Sequence, residues 1–83
     1  MTDLQDRASQ AREMLEEAIL DALAQQPGGL YNNELARLLG LESAYEGRQT
    51  NYLTYSLLGG LLADGRVIKD KRNNRTFYMR ASQ

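Results

Sequence analysis

Along the first 25 residues, apolar side chains recur at Leu4, Ala8, Ala11, Leu15, Ala18 and Ala22, in steps of three and four. Met14, Ile19 and Leu23 widen that stripe. The spacing predicts a helix over about 3–25. Thr2 or Asp3 can cap it, and Asp3 and Asp6 suit the positive end of its dipole. Pro27-Gly28-Gly29 stops it. Leu30-Tyr31 is a short apolar link, long enough for one strand pair. Asn32 or Asn33 then caps a second helix over about 33–39, with Leu35, Leu38 and Leu39 as its inner face. Gly40 reads as the glycine just past the helix end, and Leu41 as the apolar contact that accompanies it.

Residues 42–47, ESAYEG, form a connector in which Ser43 and Glu46 have capping-box spacing. A third helix is predicted over about 49–64, ending at Gly65, with Leu53, Leu57 and Leu61 on one stripe and Leu58 and Leu62 broadening it. A hairpin follows over about 66–80. Val67 and Ile68 give its first strand β character. Its return strand alternates, Phe77 and Met79 on one face and Thr76 and Tyr78 on the other. Asn73-Asn74 supplies a two-residue turn, since asparagine tolerates positive φ.

The third helix carries two adjacent glycines, Gly59 and Gly60, at a cost of roughly 2 kcal/mol in helix propensity. Lacking side chains, they predict a close approach by the first helix or the hairpin, with the alanines at 8, 11, 18 and 22 as the natural partners. On that reading Gly60→Leu overpacks the core by about 1–3 kcal/mol.

At 83 residues the chain suits one domain with one modest core, residues 1–83 as a unit. Without cysteine or histidine, disulfides, thiolate metal sites and the commonest general base are excluded. No apolar run is long enough for a membrane span, and the acidic, periodic N-terminus lacks a signal-peptide core, so a cytoplasmic location is expected. No phosphate loop, nucleophile–base pair or metal spacing appears, so neither an enzyme nor a cofactor is expected, and no small-molecule ligand is evident. Asp64, Asp70 and Lys71 make an incomplete carboxylate cluster without a third acid.

Charge changes the picture. The formal net charge is −1, but it is unevenly spread. Residues 1–46 hold three arginines against nine acids, a net of −6; residues 47–83 hold seven Lys and Arg against Asp64 and Asp70, a net of +5. Such asymmetry points to a polyanion-facing half.

The order of helix, short helix, turn, third helix and basic-tipped hairpin resembles the winged helix-turn-helix family. Its carriers are NNELARLLGLES, the third helix closing in LLADGRVI, and the return strand RTFYMR, with Leu62, Gly65 and Val67 and then Phe77 and Met79 at positions the family uses for its core. The resemblance covers nearly the whole chain. NNELARLLGLES and NYLTYSLLGGLL are also similar to the winged-helix modules that accompany bacterial restriction endonucleases, which implies recognition or an accessory role and not cleavage. The family fold is α+β, mainly α: three helices with a C-terminal two-stranded wing. In it, the start of the third helix enters the DNA major groove and the wing touches the backbone. Carried over by position, the groove candidates are Arg48, Gln49, Asn51, Tyr52 and Tyr55; the wing candidates are Lys71, Arg72, Asn73, Asn74 and Arg75. Arginine can bind guanine with two bonds, and asparagine or glutamine adenine. Basic wing residues neutralise phosphates.

The resemblance therefore implies a double-stranded DNA binder, bacterial or phage, acting as a small transcriptional regulator or recognition accessory. Plainer roles stand beside it. A basic hairpin tip also protects a sheet edge; Arg48, Gln49 and Asn51 also suit helix capping; Tyr31 and Tyr78 suit packing, and Tyr52 and Tyr55 either role. The alternative function is a protein-interaction module of the same shape without DNA affinity. The first helix is either a solvated acidic face or the seam of a homodimer.

Overall fold

The computed structural model describes residues 2–42 and 51–81. Among them, α1 (Thr2–Ala24), β1 (Leu30–Tyr31), α2 (Asn32–Leu39), α3 (Tyr52–Ala63), β2 (Val67–Arg72) and β3 (Arg75–Arg80) follow in order. The architecture is α+β and mainly helical, in the predicted order of elements. Most of the connector, from Ser43, lies outside the described residues, as do Arg48 and Gln49. Among the described residues, no helix is long and apolar enough to cross a membrane.

Turn chemistry explains the boundaries. Asn73 and Asn74 both take positive φ, 54° and 65°, the twist that a two-residue hairpin loop needs. Gly40 has φ 69°, and Leu41 N–H reaches back to the Ala36 carbonyl at 2.8 Å, closing α2 as a left-handed cap does. Gly65, at φ 76°, closes α3 in the same way, with Arg66 N–H on the Leu61 carbonyl at 3.0 Å. The start of α2 differs from expectation. Its cap position is Tyr31, not Asn32 or Asn33, and the Glu34 carboxylate accepts from Tyr31 N–H at 2.9 Å. α3 begins after Asn51, whose φ of 56° breaks the helix there.

The sheet has three antiparallel strands in the order β1-β3-β2, so the hairpin gains a third strand from the Leu30-Tyr31 link. Leu30 pairs with Tyr78 and Tyr31 with Phe77; across the hairpin Val67 pairs with Arg80, Lys69 with Tyr78, and Arg72 with Arg75. Directly paired residues share a face. One face therefore carries Leu30, Val67, Lys69, Lys71, Thr76, Tyr78 and Arg80, and the other Tyr31, Ile68, Asp70, Arg72, Arg75, Phe77 and Met79.

The core lies between the three helices and the first of those faces. It gathers Ile19, Leu20 and Leu23 from α1, Leu35 from α2, Leu57, Leu58 and Leu61 from α3, and Leu30, Val67 and Tyr78 from the sheet. Tyr78, not Phe77 or Met79, is the return strand's residue in this core. Phe77 is buried too, on the opposite face, against Tyr31 in an edge-on pair with ring centroids 6.3 Å apart.

Two leucines predicted inward face out. Leu38 and Leu53 are exposed, while Ala36 and Thr54 are fully buried. At 100° per residue, Leu38 and Leu53 each sit roughly 90° or more from the centre of their helix's buried arc. The glycine expectation is also corrected. A Cβ at Gly59 meets nothing within 4 Å; one at Gly60 meets the Arg12 guanidinium at 2.8 Å and the Glu16 carboxylate at 3.8 Å. α1 does pass over Gly60, but with the flexible end of an arginine rather than its alanines. The tight glycine is Gly29: its φ is 93°, and a Cβ there falls 2.5 Å from Phe77 Cδ2.

Candidate nucleic-acid interface

α3 divides its residues by angle. Thr54, Leu57, Leu58 and Leu61 are buried. Tyr52, Tyr55, Ser56, Gly59 and Ala63 follow one another along the opposite face and are all exposed. From Tyr52 to Ala63 the helix holds no charged residue. A groove runs beside this outer face, lined by Tyr52, Tyr55, Ser56, Gly59, Lys69 and Tyr78. Gly59 keeps it open. Burial raises the Tyr78 phenol above its ordinary pKa of 10.0, and the nearby Tyr55 phenol adds to the effect.

Asn51 stands apart from the other groove candidates. It is 6% exposed, and its Nδ2 donates to Asn33 Oδ1 at 2.8 Å. Asn32 Nδ2 in turn donates to the Asn51 carbonyl at 3.3 Å, and Tyr55 N–H to the same carbonyl at 3.1 Å. The residue thus ties the start of α3 to the first turn of α2. Its side chain faces the protein rather than a groove. Tyr52 and Tyr55, at 61% and 47% exposure, are open to a partner.

Strand alternation splits the hairpin's cations into two sets. Lys69, Lys71 and Arg80 lie on one face, across from Tyr78, Thr76 and Val67. Arg72 and Arg75 lie on the other. There the Arg72 guanidinium sits 4.2 Å from the Phe77 ring centroid, and Arg75 3.8 Å from that of Tyr31. Arg72 Nη2 also donates to the Gly28 carbonyl at 3.3 Å. Each stack contributes about 0.5–1 kcal/mol at an exposed site and leaves the charge in place. Asn73 and Asn74 make the turn itself.

The five wing candidates are therefore brought to one hairpin tip but not to one side of it. Lys69, Ser56 and Gly59 were not among the predicted site residues. The available signal was period two: Lys69 shares a strand face with Lys71. Asn33, a helix cap by its place in the sequence, is in the fold the acceptor for Asn51 Nδ2.

Asp64 caps the end of α3, and Asp70 lies between the two lysines in sequence but on the opposite strand face, its Oδ1 accepting from Lys71 N–H at 2.8 Å; the other described acids lie elsewhere. Six of them, Asp3, Asp6, Glu13, Glu16, Glu17 and Asp21, are on α1. Glu34 is committed to the Tyr31 N–H, and Glu42 pairs with Arg37 at 3.6 Å. Neither the outer face of α3 nor the lysine row of the hairpin carries a carboxylate.

No protein-family model matches the chain, and the searches of curated proteins and of solved structures return no significant match.

Proposed function

We propose that this chain is a winged helix-turn-helix domain that binds double-stranded DNA with the outer face of α3 and the lysine row of its wing. The observation that carries the reading is the side formed by Tyr52, Tyr55, Ser56 and Gly59, free of acids among the described residues, with Lys69 beside them and Lys71 next along the same strand face. Phosphate contacts supply most of such an affinity, so lysines flanking an open helix face are the group expected there. Arg48 and Gln49, just ahead of α3, supply the bidentate chemistry for bases. Asn51 does not read bases in this account; it orients the helix that does. The domain acts as a small regulator or as the recognition accessory of a larger system.

A second reading draws on one feature. An α3 surface with exposed Tyr52, Leu53 and Tyr55 and no charge also suits a protein partner, since aromatic residues are enriched at such interfaces. Selection from a random duplex library, followed by fluorescence anisotropy on the enriched sequence, separates the two. An enriched motif bound more tightly than a scrambled duplex supports the DNA reading. No enrichment and no binding at low salt reject it in favour of the protein partner.

A further inference from the structure

Gly59 sits in the middle of α3, where glycine is the least favourable residue after proline. Packing within the chain does not require it. A Cβ built there meets nothing within 4 Å, and its backbone is not left-handed. A helical glycine with neither reason fits a place where another molecule approaches the backbone.

Gly59 is also the floor of the groove beside α3, which has a volume of about 250 Å³. Tyr52, Tyr55 and Ser56 lie on the same helix stripe, three and four residues apart. Leu62 adds apolar surface. Across from the helix stand Lys69 and Tyr78, directly paired on β2 and β3.

We infer that this groove is a binding site for a small planar aromatic carboxylate, seated over Gly59 with its charge on Lys69. Each feature selects one property of that ligand. Tyrosine rings from the helix and from the sheet offer faces and edges to a flat ring. Among the described residues, Lys69 is the only charged one in the lining, so the charge it takes is negative. Ser56, Tyr52 and Tyr55 carry hydroxyls that can donate to a carboxylate. Burial, and then the neighbouring Tyr55 phenol, hold Tyr78 protonated past its ordinary pKa of 10.0, so it too is a donor at neutral pH. The volume lies just under the range of drug-sized sites, which limits the ligand to one or two rings. These residues come from three separate elements, so no such site shows along the chain. Binding of this ligand does not require DNA. Where the DNA reading also holds, ligand and duplex exclude each other, since both use the outer face of α3.

The test titrates 2-naphthoate into the full, nitrogen-15-labelled chain and follows amide shifts by NMR. Saturable shifts should cluster at Tyr55, Ser56, Gly59, Lys69 and Tyr78, with a Kd of about 1 mM at the efficiency usual for a small ligand. Gly59→Leu fills the floor and should weaken binding about tenfold or more. Its melt should be no lower than that of the wild type, because the new side chain enters open space on a better helix former. Lys69→Met, at an exposed position, should weaken binding about fivefold. The uncharged 2-naphthalenemethanol should bind the wild type about fivefold less tightly, and cyclohexanecarboxylate, which lacks the flat ring, should also bind less tightly. No saturable shift up to about 10 mM naphthoate overturns the inference. So does full affinity in Gly59→Leu or Lys69→Met, or equal affinity for either control compound.

Discussion

Asn51 donates its amide to Asn33 across 18 residues of sequence, and this bond, with Asn32 Nδ2 on the Asn51 carbonyl, joins the start of α3 to the first turn of α2. It is part-buried, 2.8 Å long, and made by a residue held at φ 56°. Both facts suit asparagine: the side chain bonds, and the backbone tolerates the left-handed region. Asn51→Ala loses both and should cost about 2–3 kcal/mol. Asn51→Gly keeps the backbone freedom and should cost less. A double-mutant cycle with Asn33→Ala, read by urea unfolding, should return a coupling of about 1 kcal/mol. A coupling near zero would remove the pin from the account.

Thr54 raises an opposite expectation. It is fully buried, and its hydroxyl has no hydrogen-bond partner among the described residues. An unpaired buried hydroxyl costs roughly 1–3 kcal/mol. Thr54→Val has nearly the same shape and should raise thermal stability. A variant that melts lower would mean that the hydroxyl is satisfied after all.

The glycines sort into three kinds. Gly29→Ala introduces a Cβ 2.5 Å from Phe77 at φ 93° and should destabilise by about 3 kcal/mol or more. Gly59→Ala enters open space and should stabilise by up to about 1 kcal/mol. Gly60→Ala has only the mobile end of Arg12 to displace and should fall between these. Differential scanning calorimetry of the three single variants gives the order directly; Gly29→Ala melting at or above the wild type would contradict it.

Tyr78 makes stability depend on alkaline pH. Its folded-state pKa lies above the ordinary value of 10.0, chiefly through burial. The native state therefore favours the neutral phenol. That contribution is fully present below pH 10 and is lost as pH rises through the raised value. Urea midpoints should fall as pH rises above 10, and Tyr78→Phe should flatten the fall. An equal fall in both proteins would assign it to other groups.

The element order was legible because punctuation marks it: Pro27-Gly28-Gly29, Gly40, Gly65 and Asn73-Asn74 each bound an element by local backbone chemistry. Facing was harder. With leucines at 35, 38 and 39, or at 53, 57, 58, 61 and 62, several arcs of a short helix are apolar, and tertiary packing picks one. Asn51 looked like a groove residue because its partner lies in another helix. The stacking of Arg72 and Arg75 was hidden for the same reason. Which ring each meets is set by the pairing of Tyr31 with Phe77, a register that a two-residue strand does not announce.

The central claim is that the lysine row, beside an acid-free α3, meets phosphate. The most direct test is anisotropy on a duplex at a series of salt concentrations, comparing the wild type with Lys69→Ala/Lys71→Ala. These exposed lysines can be removed without disturbing the aromatic stacks. The account predicts binding that weakens steeply with salt, and a slope of log affinity against log salt reduced by about 1.8 in the double variant. Equal slopes in the two proteins, or no binding by the wild type at low salt, would contradict it.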